Sequence, residues 1–416
     1  MTDLFWPGDE RAGSLMTPTA LLDAMVAVEQ AWLSALVTAG IAPAAAEAHL
    51  TGLVTTADVD AVAAGAEGGG NPVIPLLRLL RDRVRPANAE AARWLHRGLT
   101  SQDVVDTALM LCARAVLDRL DQELSVQVST VAALAETHRH TVMAGRTLTQ
   151  HAVPITFGLK AAGWLSGILD AADGVRAARP ALAVQAGGAA GTLAAVAELA
   201  RVAGVPDPPA AAGALVASLA TAVGLTARAP WHTSRGAVTR IGDTLVGCTD
   251  AWGRVATDVT TLARPEIGEL REGAVAGRGG SSTMPQKQNP VLAVLVRRAA
   301  IAAPALGATL HTAAALAVDE RPDGAWHVEW ATLRTLSRYA VVAAGQTTEL
   351  LAGLQVDADR MRATVAAGAD GLLAERRSVA GSETDPDPDP LTYLGVTDQF
   401  VDAARVRAAA YLEDRP

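Results

Sequence analysis

Gly279-Gly280-Ser281-Ser282-Thr283-Met284-Pro285-Gln286-Lys287-Gln288-Asn289-Pro290 is a polar, glycine-led run between two long apolar patterns. Residues 235–263 before it and 290–317 after it repeat apolar side chains at helical spacing. The run is therefore a loop joining two long helices. It holds two adjacent hydroxyls, an amide and a lysine. Lys160 and Lys287 are the only lysines, and every other long basic side chain is arginine. A lysine kept here suggests a task for the loop. A phosphate cradle does not fit, because that needs Gly-Lys-Ser/Thr after a strand, and here Ser precedes Lys with no strand before it.

Outward from the loop, helical periodicity continues. Helices are predicted over residues 17–39, with Pro18 at the start and Gly40 as the stop, and over 73–84 and 87–95. A helix over 101–135 is capped by Thr100, with Asp103 three residues on as in a capping box. Further helices are expected over 155–178, 330–354 and 396–412, with a short one after the Gly187-Gly188-Ala-Ala-Gly191 turn. The pattern breaks over 138–150, at the proline-rich 205–209 and in the acidic proline stretch 383–390. No strand series or hairpin signal stands out. The fold class is mainly α. The expected organisation is an N-terminal helical domain over 1–99, a long-helix bundle over 100–354 and a shortened C-terminal helical segment over 355–416.

Half of the 416 residues are hydrophobic and only 3% are aromatic, so alanine dominates the apolar set and lets long helices approach closely. The formal charge of −9 argues against a nucleic-acid binder. It leaves room for an anionic substrate, since a few arginines reverse the field inside a cleft. Cys112 and Cys248 lie in apolar helical patterns without metal-ligand spacing and read as buried free thiols. The first residues lack the pattern of a secretory leader, and the apolar run 291–316 is interrupted by Arg297, Arg298 and His311. A cytoplasmic protein without membrane spans is expected.

Three polar clusters interrupt the helices. His96-Arg97-Gly98-Leu99-Thr100-Ser101-Gln102-Asp103 sits at a helix N-terminus, where free amides and the helix dipole favour an anion. Its bland reading is an ordinary capping box. Gly145-Arg146-Thr147-Leu148-Thr149-Gln150-His151 offers a guanidinium, hydroxyls, an amide and an imidazole within seven residues, or else is a solvated loop. His138 and His140 nearby read as helix-end residues. The third cluster is the opening loop. Its hydroxyls, lysine and asparagine suit removal of a proton α to a carboxylate, which needs a base near the carbon and cations near the carboxylate oxygens.

Together the clusters resemble a family. Gly280 to Pro290 is similar to the fumarase/aspartase superfamily signature G-S-S-x-M-P-x-K-x-N-P, and residues 100–107 and 145–150 resemble its other two conserved regions. Within it, His96-x-Gly-x-Thr-Ser-Gln-Asp, Gln150-His151-Ala-Val-Pro, Gly187-Gly-Ala-Ala-Gly-Thr192, Pro230-Trp-His-Thr233 and Asp319-Glu-Arg-Pro-Asp-Gly-Ala-Trp-His327 are similar to the 3-carboxy-cis,cis-muconate cycloisomerases. The resemblance implies a homotetramer around a 20-helix core, with each site built from three subunits. It implies cofactor-free addition to, or elimination from, a carboxylate-activated C–C bond of a small polycarboxylate. By position, Ser281 matches the catalytic serine. Ser282, Lys287 and Asn289 match substrate-binding positions of the same loop. Thr100, Ser101, Arg146, Thr147 and Gln150 match carboxylate-binding positions, His96 and Gln102 beside them are further substrate-binding candidates, and Arg321 resembles a following conserved arginine.

Two departures bear on the chemistry. Leu148 stands where many superfamily lyases have a histidine acid, which counts against expelling an amine. His151 is the candidate to take over part of that role. The acidic proline stretch stands where helices of a third domain are expected.

Overall fold

The protein, as a computed structural model, is described over residues 3–275, 277–280, 283–284, 286–381 and 389–414. Four N-terminal helices, α1 (Pro18–Thr38), α2 (Val59–Ala66), α3 (Val73–Val84) and α4 (Ala89–Trp94), lead into α5 (Ser101–Thr137). A β-hairpin, β1 (Val142–Thr147) and β2 (Gln150–Thr156), follows, then α6 (Phe157–Ala178), α7 (Ala194–Val202), α8 (Pro208–Val223) and α9 (Gly236–Leu262). Strand β3 (Leu270–Arg271) precedes α10 (Val291–Ala315) and α11 (Gly324–Ala352), and β4 (Gln355–Val356) pairs back on β3. The chain continues through α12 (Ala358–Leu372), α13 (Ala374–Ala380) and α14 (Thr397–Glu413).

Helices α5, α6, α9, α10 and α11 pack along one another as the central bundle. Their starts follow from local chemistry. The Thr17 hydroxyl accepts the Ala20 amide at 3.2 Å, and Thr156 accepts the Leu159 amide at 3.1 Å. Small residues bring the rods together: a methyl on Gly253 of α9 would lie 2.5 Å from the Ala300 Cβ of α10. Trp32, Trp164, Trp231 and Trp252 are among the largest fully buried side chains. Cys112 and Cys248 are free and buried, and burial pushes both thiols up to about 12.

The structure corrects the sequence reading in four places. The break over 138–150 is a two-stranded hairpin whose second strand runs through Pro154, three residues before α6 begins. Its turn is Leu148-Thr149, with φ of 48° and 73°. Such a turn is normally announced by Asn-Gly, so the signal was missing. Helix α8 fills 208–223 after the proline-rich loop, its prolines occupying the first turn behind the Asp207 cap. Helix α11 begins at Gly324, not near 330. Helix α13, where no helix was expected, lies just before the acidic proline stretch, whose residues 383–388 lie outside the described residues.

The bundle sets two distant ends. Helix α5 has 37 residues, so it is about 55 Å long at 1.5 Å per residue. The first polar cluster precedes its N-terminus. The hairpin follows its C-terminus.

Candidate active site

At the first end, the buried Asp103 carboxylate gathers three sequence-distant motifs. Oδ2 accepts the Thr100 amide at 3.0 Å, closing the capping box, and the Gly188 amide at 2.9 Å. Oδ1 accepts the Gln185 amide side chain and the Gly187 amide, both at 3.0 Å, and the His232 Nε2–H at 2.8 Å. A Cβ on Gly187 would lie 2.8 Å from His232 Cε1, so the turn admits no side chain there. The cap, the glycine turn and the Pro230-Trp-His-Thr233 segment are thus one structural unit.

Behind it lies a buried ion cluster. The Arg235 guanidinium donates to both Asp106 oxygens at 2.7 and 3.0 Å and to Glu329 Oε2 at 2.5 Å. Trp326 Nε1 donates to Asp106 Oδ1 at 2.9 Å, and the Gln102 amide donates to Asp106 Oδ2 at 3.1 Å. Burial works against the Arg235 charge, but Asp106 and Glu329 outweigh it and hold the guanidinium above its ordinary value. Burial pushes the Glu329 carboxyl up, and Arg235 pulls it only part of the way back. Sequence reasoning missed Asp106, Arg235 and Glu329. The one available signal was that Asp103 and Asp106 are three residues apart, hence on one face of α5.

The structure places the first-cluster residues as follows. His96 has φ of 66° and sets Nδ1 2.7 Å from the buried Glu29 carboxylate. Ser101 opens α5 and is half-buried. Gln102, read as a substrate binder, is fully buried and donates to the His232 carbonyl at 2.8 Å as well as to Asp106. Arg321 is exposed and donates to the Ala189 carbonyl of the glycine turn at 2.9 Å. Arg321 thus meets the glycine turn whose Gly187 and Gly188 amides bind Asp103 in the first turn of α5.

At the other end, Arg146 of β1 donates to both oxygens of the buried Glu269 at 2.9 and 2.8 Å. Its charge is thereby neutralised inside the chain. The strands pair Arg146 with His151 and Thr147 with Gln150 across the two-residue turn, and a bulge falls at Gly145. Thr147, Leu148, Thr149, Gln150 and His151 are all exposed, Leu148 at 96%. His151 rests beside Gly368 of α12, where an added Cβ would approach its Nδ1 to 3.3 Å.

The signature loop roots at this same end, since β3 and Glu269 precede it. Its neck is closed by Asn289, whose backbone and side-chain nitrogens donate to the Gly279 carbonyl at 2.9 and 3.0 Å. Lys287 is exposed. Ser281 and Ser282 lie outside the described residues. Within one chain, then, the hairpin tip and the signature loop share one end of the bundle. Thr100, Ser101 and Arg321 belong to the opposite end. Among the described residues no three His, Cys, Asp or Glu side chains gather as metal ligands.

Known proteins resemble this chain over most of its length. A family model described as lyase matches residues 24–304. A nitrosuccinate lyase of Streptomyces davaonensis is 44% identical over 364 residues, 87% of this chain and 76% of the relative. A 3-carboxy-cis,cis-muconate cycloisomerase of Bradyrhizobium diazoefficiens is 39% identical over 396 residues, 94% of this chain and 83% of the relative. The crystal structure of 3-carboxy-cis,cis-muconate lactonizing enzyme from Pseudomonas putida superposes with a TM-score of 0.84 at 30% identity, covering 96% of each chain. With the family model matching residues 24–304 and relatives of this kind 39–44% identical over most of the chain, the chain belongs to the lyase family of the fumarase/aspartase superfamily.

Proposed function

We propose that the protein is a 3-carboxy-cis,cis-muconate cycloisomerase, closing a carboxymuconolactone in protocatechuate catabolism. What supports this reading is the likeness, in sequence and in fold, to several 3-carboxy-cis,cis-muconate cycloisomerases; the apolar Leu148, 96% exposed at the hairpin tip in place of an ionisable side chain, is compatible with it. A carboxylate oxygen that adds to a double bond needs no proton removed from it. One substrate carboxylate attacks the carbon β to another carboxylate, and the C=C electron pair moves onto that group as an enediolate. Ser281 delivers the proton to the α-carbon, and Lys287 with loop amides holds the developing negative charge. The α5 N-terminus with Thr100 and Ser101, Arg321, and the polar groups Thr147, Gln150, Ser282 and Asn289 orient the other carboxylates. His151 serves as the proton partner on the hairpin.

This reading requires other copies of the chain, because about 55 Å of helix separates the two ends that carry the motifs. A homotetramer with a 20-helix core brings both kinds of end into one site. Helix α10 supports it: only 33% of its most apolar window is buried, and Val294 and Ile301 are 53% and 75% exposed. The N-terminal unit over 1–99, the bundle over 100–354 and the C-terminal segment over 355–416 then serve as a cap, the oligomer core and a brace on the hairpin. Buried free thiols suit a reducing cytoplasm.

A second reading is β-elimination from a substituted succinate with an acidic leaving group such as nitrite. The 44% identity to a nitrosuccinate lyase favours it. Leu148 is equally tolerable there, since nitrite leaves without a proton. One assay tests both: lactone formation from 3-carboxy-cis,cis-muconate against fumarate release from a panel of 2-substituted succinates. Lactone formation upholds the cycloisomerase; fumarate release without it establishes the elimination.

A further inference from the structure

We infer that Glu349 and Arg278 are positioning residues for the signature loop, tying its root to the N-terminal segment of the chain. The inference rests on the proposed activity for its kinetic readout only.

Glu349, near the end of α11, has one arginine on each carboxylate oxygen. Oε1 receives Arg278 Nη1, and Oε2 receives Arg11 Nη2 at 2.6 Å. Arg278 sits immediately before the Gly279-Gly280 start of the loop, and its Nε lies 3.4 Å from Glu272 Oε1. Glu272 in turn accepts the Leu292 and Ala293 amides at 3.1 and 3.2 Å. These are first-turn donors of α10, whose N-cap is Pro290 and supplies no side-chain acceptor. The chain of ionic contacts therefore runs from Arg11 through Glu349, Arg278 and Glu272 to the helix that ends the loop. It fastens both flanks of the loop while Asn289 closes its neck. A methyl on Gly273 would lie 2.6 Å from the Gly353 carbonyl, so the backbone at the root is also pressed against the end of α11.

Charge makes this an anchor and not mere packing. Arg278 stands between two carboxylates and Glu349 between two guanidiniums, so loss of Arg278 strips Glu272 of its cation and loss of Glu349 strips Arg11 of its anion. The Arg278 and Arg11 guanidiniums hold the Glu349 carboxyl below its ordinary range. The N-terminal segment that supplies Arg11 is itself fixed. Trp6 lies between Arg298, 3.6 Å from its ring centre, and Tyr339, and Arg338 donates to Asp9 at 2.7 and 2.9 Å. Residues near the N-terminus thus set where the loop begins, far from them in sequence.

The test compares Arg278→Met, Glu349→Gln, Arg11→Met and Arg278→Lys in the full-length protein, with the substrate that the wild type converts. A root displaced by about 1 Å costs turnover on the order of 100-fold, so Arg278→Met and Glu349→Gln are expected to lose about that in kcat with KM nearly unchanged. Arg11→Met loses less, about tenfold, and Arg278→Lys recovers part of the Arg278→Met loss by keeping one ion pair. Amide exchange at Leu292 and Ala293 is expected to speed up in Arg278→Met and Glu349→Gln, with melting temperature unchanged. Normal kcat in Arg278→Met, or a loss in every variant that simply follows melting temperature, overturns the inference. If the wild type converts no substrate in the panel, the proposed activity fails. The exchange rates then decide by themselves: unchanged rates overturn the positioning role and faster rates sustain it.

Discussion

The two ends of the bundle handle polar groups in opposite ways. At the Asp103 end, one carboxylate takes five donors from inside the chain, and Arg235 pairs with Asp106 and Glu329 out of contact with water. At the hairpin end, Thr147 to His151 stand exposed, and Leu148 and Thr149 hold left-handed backbone at the very tip. A group satisfied within its own chain is architecture. A group held out in a costly conformation is not explained by packing within its own chain. The difference separates Gln102 and Arg146, which the fold consumes, from Gln150, His151 and Lys287, which it leaves presented.

Four changes break or sharpen this contrast. The largest effect is expected for Ser281→Ala, which removes the proposed proton donor. Turnover should fall by about 10²–10⁴-fold or more while the oligomer on a sizing column is unchanged. Near-normal turnover would remove Ser281 from the mechanism. Next, Arg235→Met at the other end leaves two buried carboxylates unpaired and should cost about 3–5 kcal/mol of stability, measured by denaturant unfolding. A loss below about 1 kcal/mol would show that the buried ion cluster contributes little to holding this end together.

A smaller effect of mixed sign is expected for the double change Leu148→Asn with Thr149→Gly. These residues suit the left-handed turn, so relief of strain should stabilise the chain by about 1–2 kcal/mol. Turnover should nonetheless fall, because the apolar tip is lost. A stabilised enzyme with full activity would mean that the tip touches no substrate. Smallest is the thiol test. Cys112 and Cys248 should resist a disulfide reagent at pH 8 until the protein unfolds. Their folded pKa, raised to about 12, means that stability from the neutral thiols is present below pH 9 and lost as pH rises towards 12. Rapid labelling of either thiol in the folded state would contradict its burial.

Much of the fold was legible. The long helices appear within a few residues of their expected bounds because their apolar spacing and caps are local signals, as with Thr100 and Asp103 over α5. The hairpin was not, because Leu148-Thr149 lacks turn chemistry and Gly145 is needed only where the Val153 carbonyl would meet a Cβ at 2.7 Å. Of the site, the residue types at the three clusters were plain. Their partners were not. Glu29 for His96, Glu269 for Arg146 and Ala189 for Arg321 are between 67 and 132 positions away, and a single sequence carries no mark of such pairs.

Sequence by itself determined a mainly helical chain, the superfamily through its motifs, and which side chains are candidates for its chemistry. These follow from periodicity and from motif identity, both of which are local. Only the tertiary structure decided which of those side chains remain available. The rigid span of α5 puts Thr100 and the hairpin at opposite ends, and burial pairs Gln102 and Arg146 with groups of their own chain. Distance along a helix and desolvation of a charge are properties of the folded object, and no local pattern encodes either.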